Sequence, residues 1–261
     1  MTRQLVKVSV FLAVVALGVG ALAGEVALYT GNVNWMSKDM ADAQAQICVN
    51  RLNAAGIPNV WYSSPDDAAS GGALQNWVES KTGNGELDVL VLFGYTPSCL
   101  YPAGNAQPDG SVLELFIEST DGDAIIYHGD WMFYVSNPNN GPAGLQNIMD
   151  IPGIVMGSDN TPMYVTDEGR EVTPNLTDFL SDRPFAVDQL QGDWFVEAVF
   201  AQNADGTRDD PCIVRDGERG RLIPIFMTNS QNDPKGAVAA EIIAYLMGVE
   251  LSPAQLGISG F

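Results

Sequence analysis

The chain has 261 residues and 46% of them are hydrophobic, which is enough apolar material for the core of a large α/β domain. Its 32 acidic residues outnumber its 12 basic residues, so the formal net charge is −20. This charge would repel a polyanion, and no cluster of Lys and Arg offers a footprint for phosphates, so nucleic acid is excluded as a partner.

The N-terminal segment has the pattern of a secretory signal peptide. Two basic residues precede an apolar stretch over residues 8–22, and Ala21-Leu22-Ala23 has the small-x-small form of a cleavage site. The stretch falls short of the roughly 20 residues that cross a bilayer, which argues against the alternative of an uncleaved anchor. We therefore expect residues 1–23 to be removed, and the mature chain to be secreted or periplasmic and not bound to the membrane.

The first half of the mature chain alternates between strand and helix patterns. Residues 25–31 and 60–62 predict two strands, and between them Ser37 is expected to cap a helix that Gly56 ends. Residues 73–78 predict a short second helix. This rhythm is typical of a doubly wound sheet, in which right-handed crossovers place helices on both faces.

Two longer apolar runs form the centre of the predicted sheet. Residues 87–94 and 124–129 are nearly unbroken hydrophobic segments that end in glycine, and residues 111–118 between them have the spacing of a helix. Strands buried on both faces give such continuous runs, so this pair predicts the middle of a parallel sheet. We expect the strands that begin near residues 25, 87 and 124 to lie side by side, with their tips around one recess.

The second half is less regular. Residues 137–192 are rich in Asp, Thr, Pro and Gly, and they predict an irregular excursion over the surface, of the kind that often forms a functional lid. Two β-prone runs, residues 194–201 and 212–215, flank a turn-rich segment and predict an antiparallel extension. Pro224 predicts that its strand lies at a sheet edge or a bulge, because proline cannot donate to the ladder. Residues 236–247 predict the last helix.

The order of these elements resembles the class I glutamine-amidotransferase-like superfamily and, within it, the trehalose-utilisation (ThuA-like) proteins. The likeness rests on the Asp-x-Leu-x-Leu strand at 87–94, the helix at 112–118, the strand at 124–129 that ends in a histidine and a small residue, and the strand at 220–225. The resemblance implies a flavodoxin-like fold in a single domain over residues 24–261. Amidotransferases carry a nucleophilic cysteine at the strand-to-helix elbow, where this chain has His128-Gly129-Asp130, so glutamine hydrolysis is not implied.

The three cysteines, Cys48, Cys99 and Cys212, have neither C-x-x-C spacing nor a neighbouring histidine. A structural zinc site is therefore not expected. One disulfide with a spare thiol, and unpaired thiols that act as small hydrophobic residues, as Cys48 on the apolar side of a helix would, both remain open, because spacing does not decide between them.

Three aspartates, Asp205, Asp209 and Asp210, lie close together in the turn-rich segment. Their oxygens could bind calcium, but the loop pattern of an EF-hand is absent. Asp-Gly is first of all a turn signal, so a structural turn is favoured.

His128 is the strongest candidate for chemistry. It ends a buried strand at the edge where open α/β sheets place their ligand crevice. An imidazole there can act as a general base, a metal ligand or a hydrogen-bond anchor. Asp130 could orient the imidazole or share a cation. The alternative is that His128 only caps the strand.

Polar and aromatic residues are expected at the same edge, because each of them follows a strand. Aromatic faces with amides and carboxylates at their margins suit a carbohydrate, and the alternative is that they pack a loop. A thiolate nucleophile would need a cationic neighbour, and the loop around Cys99 lacks one. Cys99 is therefore predicted to line the binding site and not to act as a nucleophile. The predicted ligand-binding residues are Asn32, Trp35, Tyr95, Cys99, Tyr101 and Trp131.

Three functions follow as hypotheses. The first is binding of a polar small molecule or carbohydrate at the C-terminal edge of the parallel sheet. The second is a hydrolase that uses His128 as general base or metal ligand together with Asp130. The third is a non-catalytic surface or scaffold protein. The sequence names no cofactor and no dedicated set of metal ligands.

Overall fold

The computed structural model describes residues 24–33, 36–102, 110–128, 141–155, 160–225, 233–252 and 255. The strands of this part of the chain are Val26–Tyr29 (β1), Asn59–Tyr62 (β2), Val89–Leu92 (β3), Ala124–Tyr127 (β4), Thr161–Val165 (β5), Phe179–Ser181 (β6), Trp194–Val199 (β7), Ala201–Gln202 (β8), Cys212–Asp216 (β9) and Arg221–Pro224 (β10). Its α-helices are Lys38–Ala55 (α1), Ala73–Lys81 (α2), Val112–Glu118 (α3), Pro142–Ile148 (α4), Asp167–Val172 (α5) and Lys235–Leu246 (α6). The predicted signal peptide, residues 1–23, lies outside the described residues.

Seven strands form one sheet in the order β2-β1-β3-β4-β10-β9-β7. β1 to β4 and β10 run parallel, whereas β9 and β7 are antiparallel to their neighbours. A second, antiparallel sheet has the order β6-β5-β8. The predicted flavodoxin-like α/β class, with a mostly parallel sheet and an antiparallel extension, is confirmed.

The central strands are buried on both faces, which explains their continuous apolar sequences. Every residue of β1, β3 and β4 is at most 2% exposed. Successive side chains point to opposite faces of a sheet. Val91 and Ile126 therefore pack with α1 and α6 on one face, while Leu92 and Tyr127 pack with α2 and α3 on the other. The fold thus has two apolar cores, one on each side of the larger sheet.

Capping residues set the helix ends that the sequence indicates. Ser37 precedes α1, and its side chain accepts a hydrogen bond from the Met40 amide at 3.3 Å. Gly56 ends α1 in the left-handed region, with a φ of 74°. Before α3, the side chains of Ser111 and Glu114 each accept a hydrogen bond from the other residue's amide.

The irregular excursion predicted over residues 137–192 is wrong for the part that is described. Strands β5 and β6 and helix α5 lie in it. These elements are only three to six residues long, which is too short to show a hydrophobic period in the sequence. In addition, one partner of β5 is β8, about 40 residues further along the chain, so this pairing has no local signal. Helix α5 has no apolar periodicity and is set instead by its N-cap. The side chain of Thr166 accepts a hydrogen bond from the Gly169 amide at 2.9 Å.

The edge position predicted from Pro224 is also wrong. β10 lies inside the sheet, between β4 and β9. Proline is tolerated there because it is the last residue of the strand, and the ladder to β9 pairs only Arg221 and Leu222. Towards β4 the ladder continues without it, since the Ile225 amide donates to the Tyr127 carbonyl at 2.8 Å.

None of the helices in the described ranges is long and apolar enough to cross a membrane. Cys48, Cys99 and Cys212 are free thiols, so of the two alternatives left by the sequence the structure has the thiols and not the disulfide.

Candidate functional site

The carboxyl ends of four parallel strands lie in register at one edge of the larger sheet. Tyr29 of β1 pairs with Leu92 of β3, Leu92 pairs with Tyr127 of β4, and Tyr127 pairs with Pro224 of β10. The segments after these strands therefore leave the sheet at the same edge. The side-by-side, same-direction arrangement expected for β1, β3 and β4 is confirmed.

His128 follows β4 at this edge and is 1% exposed. Because side chains alternate along a strand, His128 lies on the same face of the sheet as Ile126, and α6 covers this face. The first residue of α6 is Lys235, which is fully buried. Burial and the nearby charge of Lys235 hold the pKa of His128 well below its ordinary value. The imidazole is therefore neutral at pH 7.

Carboxylates surround Lys235. Its Nζ lies 3.2 Å from Oδ2 of Asp233, and the charges of Asp210 and Asp182 also act on it. Burial lowers the pKa of Lys235, and this effect outweighs the three carboxylates, which raise it. Because removing an ammonium group from water is expensive, a lysine in this position depends on the carboxylates around it.

Two of these carboxylates come from the antiparallel part of the molecule. Asp182 directly follows β6 and is 8% exposed, and Asp210 lies between β8 and β9 and is 1% exposed. The Ser181 hydroxyl donates a hydrogen bond to Oδ2 of Asp210. Four separate segments thus contribute to one buried polar group, which we call the carboxyl-edge cluster: His128, Asp182, Asp210, Asp233 and Lys235.

Backbone hydrogen bonds bring the segments that carry Asp182 and Asp210 together. Phe185 and Asp209 exchange backbone hydrogen bonds of 2.9 and 3.0 Å, so the segment after Asp182 is held against the segment before Asp210. The Asp209 carboxyl group is itself buried, which raises its pKa to about 7. Within the described residues its Oδ1 has no hydrogen-bond partner.

Asn32 and Tyr95 meet at the same edge, after β1 and β3. The Tyr95 amide donates to the Asn32 carbonyl at 2.9 Å. Gly94 allows this approach, because a Cβ there would lie 2.1 Å from the Asn32 carbonyl oxygen. Next to them Thr96 is 4% exposed, and in the described part of the chain its hydroxyl has no hydrogen-bond partner. These residues bring further polar groups to the edge that carries His128.

Cys99 and Tyr101 lie on the opposite face of the sheet, where they pack with the core under α2 and α3. The Tyr101 hydroxyl donates to the Gly144 carbonyl at 3.3 Å. Burial raises the pKa of the Cys99 thiol, which makes it less nucleophilic at pH 7. The structure therefore does not group these two side chains with His128. Trp35, Asp130 and Trp131, the other predicted site residues, lie outside the described residues.

Lys235 and its carboxylates were not predicted as site residues. One signal could have found Lys235: if the strand at 220–225 is parallel to the strand at 124–127, the segment after it returns to the edge of His128. From the sequence Asp210 is interpreted only as a turn residue or a calcium ligand, and neither it nor Asp182 gives a signal for this edge, because their approach depends on the second sheet. Within the described ranges no group of three or more His, Cys, Asp or Glu side chains is suited to hold a metal ion.

Comparison with known proteins gives no sequence match, since no family model and no curated protein matches the chain. Among solved structures, the chain is similar to a protein from Bacteroides uniformis described as ThuA-like, with 12% identity and a TM-score of 0.48 over 87% of this chain and 92% of that chain. It is also similar to the glutaminase domain of Trypanosoma brucei CTPS, solved with bound acivicin, with 8% identity and a TM-score of 0.42 over 86% of this chain and 94% of that chain.

These two descriptions name the same groups as the resemblance drawn from the sequence, a ThuA-like protein and a glutaminase domain. With identities of 12% and 8% and TM-scores of 0.48 and 0.42, neither likeness indicates an activity for this chain.

Proposed function

We propose that the protein binds a polar small molecule, in the first place a carbohydrate, at the carboxyl edge of its parallel sheet. One observation carries the proposal: a histidine, a lysine and three aspartates from four segments are gathered, mostly buried, at this edge. Open α/β sheets place their ligands at this edge, and perturbed ionisable groups concentrate at functional sites.

The chemistry of the cluster favours a neutral ligand rich in hydroxyl groups. The cluster has three carboxyl groups against one amino group, and its imidazole is neutral, so its acidic groups outnumber its basic ones. This balance disfavours an anion. Sugar hydroxyls can donate to carboxylates and accept from a lysine, so they match groups of both kinds. An exposed saccharide face also suits an aromatic neighbour such as Tyr95.

A thermal-shift panel of glucose, mannose, maltose and trehalose tests the proposal. A sugar at concentration c that binds the folded state stabilises it by mass action, by RT ln(1 + c/Kd), and so raises the Tm. We expect at least one sugar to raise the Tm of the wild-type protein, and the shift to shrink in His128→Gln. The control is Asp121→Asn at the opposite edge of the sheet, where Asp121 accepts the Gly85 amide at 2.9 Å, and it should keep the full shift.

Two results would count against carbohydrate binding. One is a panel in which no sugar changes the Tm at millimolar concentration. The other is a shift that is equal in the wild type and in His128→Gln, which would locate the sugar elsewhere. In the first case a scaffold protein, with the cluster joining the two sheets, becomes the better description.

A second candidate function is hydrolysis with His128 as the general base. The observation that favours it is the lowered pKa of His128, since a neutral imidazole can accept a proton from water at pH 7. p-Nitrophenyl acetate and p-nitrophenyl glycosides are suitable substrates. The expected rate is flat between pH 6 and 8, because the base is already deprotonated, and is lost in His128→Gln. A rate that the variant retains would remove this candidate.

A further inference from the structure

The opposite edge of the parallel sheet holds a second group of buried charges, at the amino ends of β1, β3 and β4. The Glu25 amide donates to Oδ1 of Asp88 at 2.5 Å, and the Asp88 amide donates to Oδ1 of Asp123 at 2.8 Å. Asp88 and Asp123 are both 0% exposed. Each carboxylate thus fastens the start of one strand to the start of the next.

The charges of this group do not balance. Lys81 is the side-chain cation in contact with it, with Nζ 3.0 Å from Oε2 of Glu25 and 3.6 Å from Oδ1 of Asp88. With Asp123, the group has three carboxyl groups and one ammonium group, and Glu86 and Asp121 add negative potential from nearby. We call Glu25, Lys81, Asp88 and Asp123 the amino-edge cluster.

Burial is the main influence on the pKa values of the two aspartates in the cluster. Burial, and secondarily the neighbouring carboxylates, raise the pKa of Asp123 to about 7, although two hydrogen bonds lower it. Burial likewise raises the pKa of Asp88. One more positive charge at this position would stabilise both ionised carboxylates.

The residue just before Glu25 packs against the main chain of Leu87 and Asp88, beside this cluster. A Cβ on Gly24 would lie 1.7 Å from the Leu87 carbonyl oxygen and 3.1 Å from the Asp88 nitrogen, so only glycine fits. The nitrogen of Gly24 is one residue, roughly 3.8 Å of chain, from the amide that donates to Asp88. This is also the residue that follows the predicted cleavage site at Ala23.

We propose that the mature chain begins at Gly24 and that its new α-ammonium group pairs with Asp88, supplying the positive charge that the amino-edge cluster lacks. A signal peptidase would hydrolyse the bond between Ala23 and Gly24 with one water molecule. The carboxylate leaves with the leader, and the amine stays on Gly24 and takes up a proton. Before cleavage this nitrogen is a neutral amide, so only the processed chain has the extra charge. Removal of the leader thereby stabilises the folded domain.

The first test is made on the full chain, expressed in a secreting bacterial host. Intact-mass measurement and N-terminal sequencing of the exported protein are expected to give Gly24 as the first residue. A chain that retains Met1, or that begins at any residue other than Gly24, overturns the proposal.

The second test measures the α-amine of the exported protein. Pairing with a carboxylate raises the pKa of an α-amine above its ordinary value of about 7.7–8.0. A rise of one unit lowers the rate of labelling by acetic anhydride at pH 8 several-fold, which peptide mass spectrometry measures at the N-terminal peptide. An ordinary pKa in the wild-type protein overturns the proposal without any variant.

Variants assign the effect to its partner. Asp88→Asn is expected to return the pKa of the α-amine to its ordinary range, and Asp123→Asn provides the same test with a smaller change if Asp88→Asn does not fold. Asp167→Asn, at a fully exposed position on α5, is the matched control and should leave the pKa raised. A raised pKa that is unchanged in both cluster variants would show that Asp88 is not the partner.

Discussion

The two edges of the parallel sheet carry similar charges in different surroundings. At the amino edge, Lys81 keeps 18% of its side chain exposed and contacts carboxylates that start neighbouring strands. At the carboxyl edge, Lys235 has no exposed side-chain surface, and two of its carboxylates come from beyond the parallel sheet. The amino edge holds no histidine, whereas the carboxyl edge has the only histidine of the chain.

This difference separates two uses of buried charge. Backbone amides donate to Asp88 and Asp123, so these carboxylates act as fasteners between strands that are adjacent in the sheet. The carboxyl-edge cluster instead collects groups from four distant segments, with three carboxyl groups around a buried lysine and a neutral imidazole near that lysine. Assembly of different chemical groups at the edge where open α/β sheets place their ligands is typical of a site, so we expect the two edges to respond differently to substitution.

The largest effect is expected from Lys235→Met, which keeps the apolar stem and removes the charge. It leaves Asp182, Asp210 and Asp233 without the cation that they surround. Breaking a buried pair by removal of one partner costs about 3–5 kcal/mol. Urea unfolding at pH 7 measures the change in the free energy of unfolding. A loss of less than about 1 kcal/mol, the value typical of a surface ion pair, would contradict the view that this lysine is the more deeply buried partner.

The contrast between the edges also explains what the sequence could predict. β1, β3 and β4 are predicted because a strand buried on both faces must be apolar at every position, and this pattern is local. His128 follows from the same pattern, since it stands where one such run ends. The capping residues Ser37 and Gly56 are equally local, because their hydrogen bonds join residues within five positions of each other.

The rest of the site depends on contacts between distant segments. Lys235 reaches His128 only because β10 inserts between β4 and β9. The proline at 224 argues against an interior strand unless it is known to be the last residue of that strand. Asp182 and Asp210 arrive through the pairing of Phe185 with Asp209, 24 positions apart. Short strands such as β6 have too few residues to show a period, so their partners cannot be identified from sequence.

A smaller effect, and of opposite sign, is expected from Asp209→Asn. The pKa of Asp209 is about 7 in the folded protein and about 3.9 in an unfolded chain. The unfolded chain therefore releases its proton first, and stability falls as the pH rises from about 4 to 7. Because Asn has no proton to release, we expect the variant to be more stable than the wild type at pH 8 and equal to it at pH 4.

Asp123→Asn is the matched comparison for that experiment. Burial raises the pKa of Asp123 to about 7 as well, but its oxygens accept hydrogen bonds from the Asp88 amide at 2.8 Å and the Ser119 hydroxyl at 3.1 Å. An amide group can accept only one of these, so the variant should be destabilised at pH 4 and at pH 8. If both variants changed in stability in the same way, the distinction between Asp123, which accepts hydrogen bonds, and Asp209, whose Oδ1 has no partner in the described residues, would fail.

Lys81→Met is expected to cost about 1 kcal/mol, which is near the upper end for a partly exposed ion pair. Although burial lowers the pKa of Lys81, the hydrogen bond to Glu25 and the charge of Asp88 raise it more in sum, so the lysine is charged at pH 7. The hydrogen bonds to Asp88 and Asp123 remain after the substitution, and they limit the loss. Urea unfolding of Lys81→Met and Lys235→Met under the same conditions compares their losses in the free energy of unfolding. Equal losses would mean that the two lysines have equivalent roles.

The smallest effect concerns the titration of His128, whose signals can be observed without interference because the chain has one histidine. Its folded pKa is lowered by burial and by Lys235, so below the unfolded value of about 6.5 the unfolded chain binds the proton first. Stability therefore decreases as the pH falls through about 6.5, the unfolded value, and His128→Gln should remove this decrease. Imidazole ¹⁵N shifts measured from pH 8 to pH 5 are expected to stay those of the neutral ring. A midpoint near 6.5 would mean that the imidazole is solvated and that Lys235 does not act on it, and the carboxyl edge would then lose the feature that distinguishes it from the amino edge.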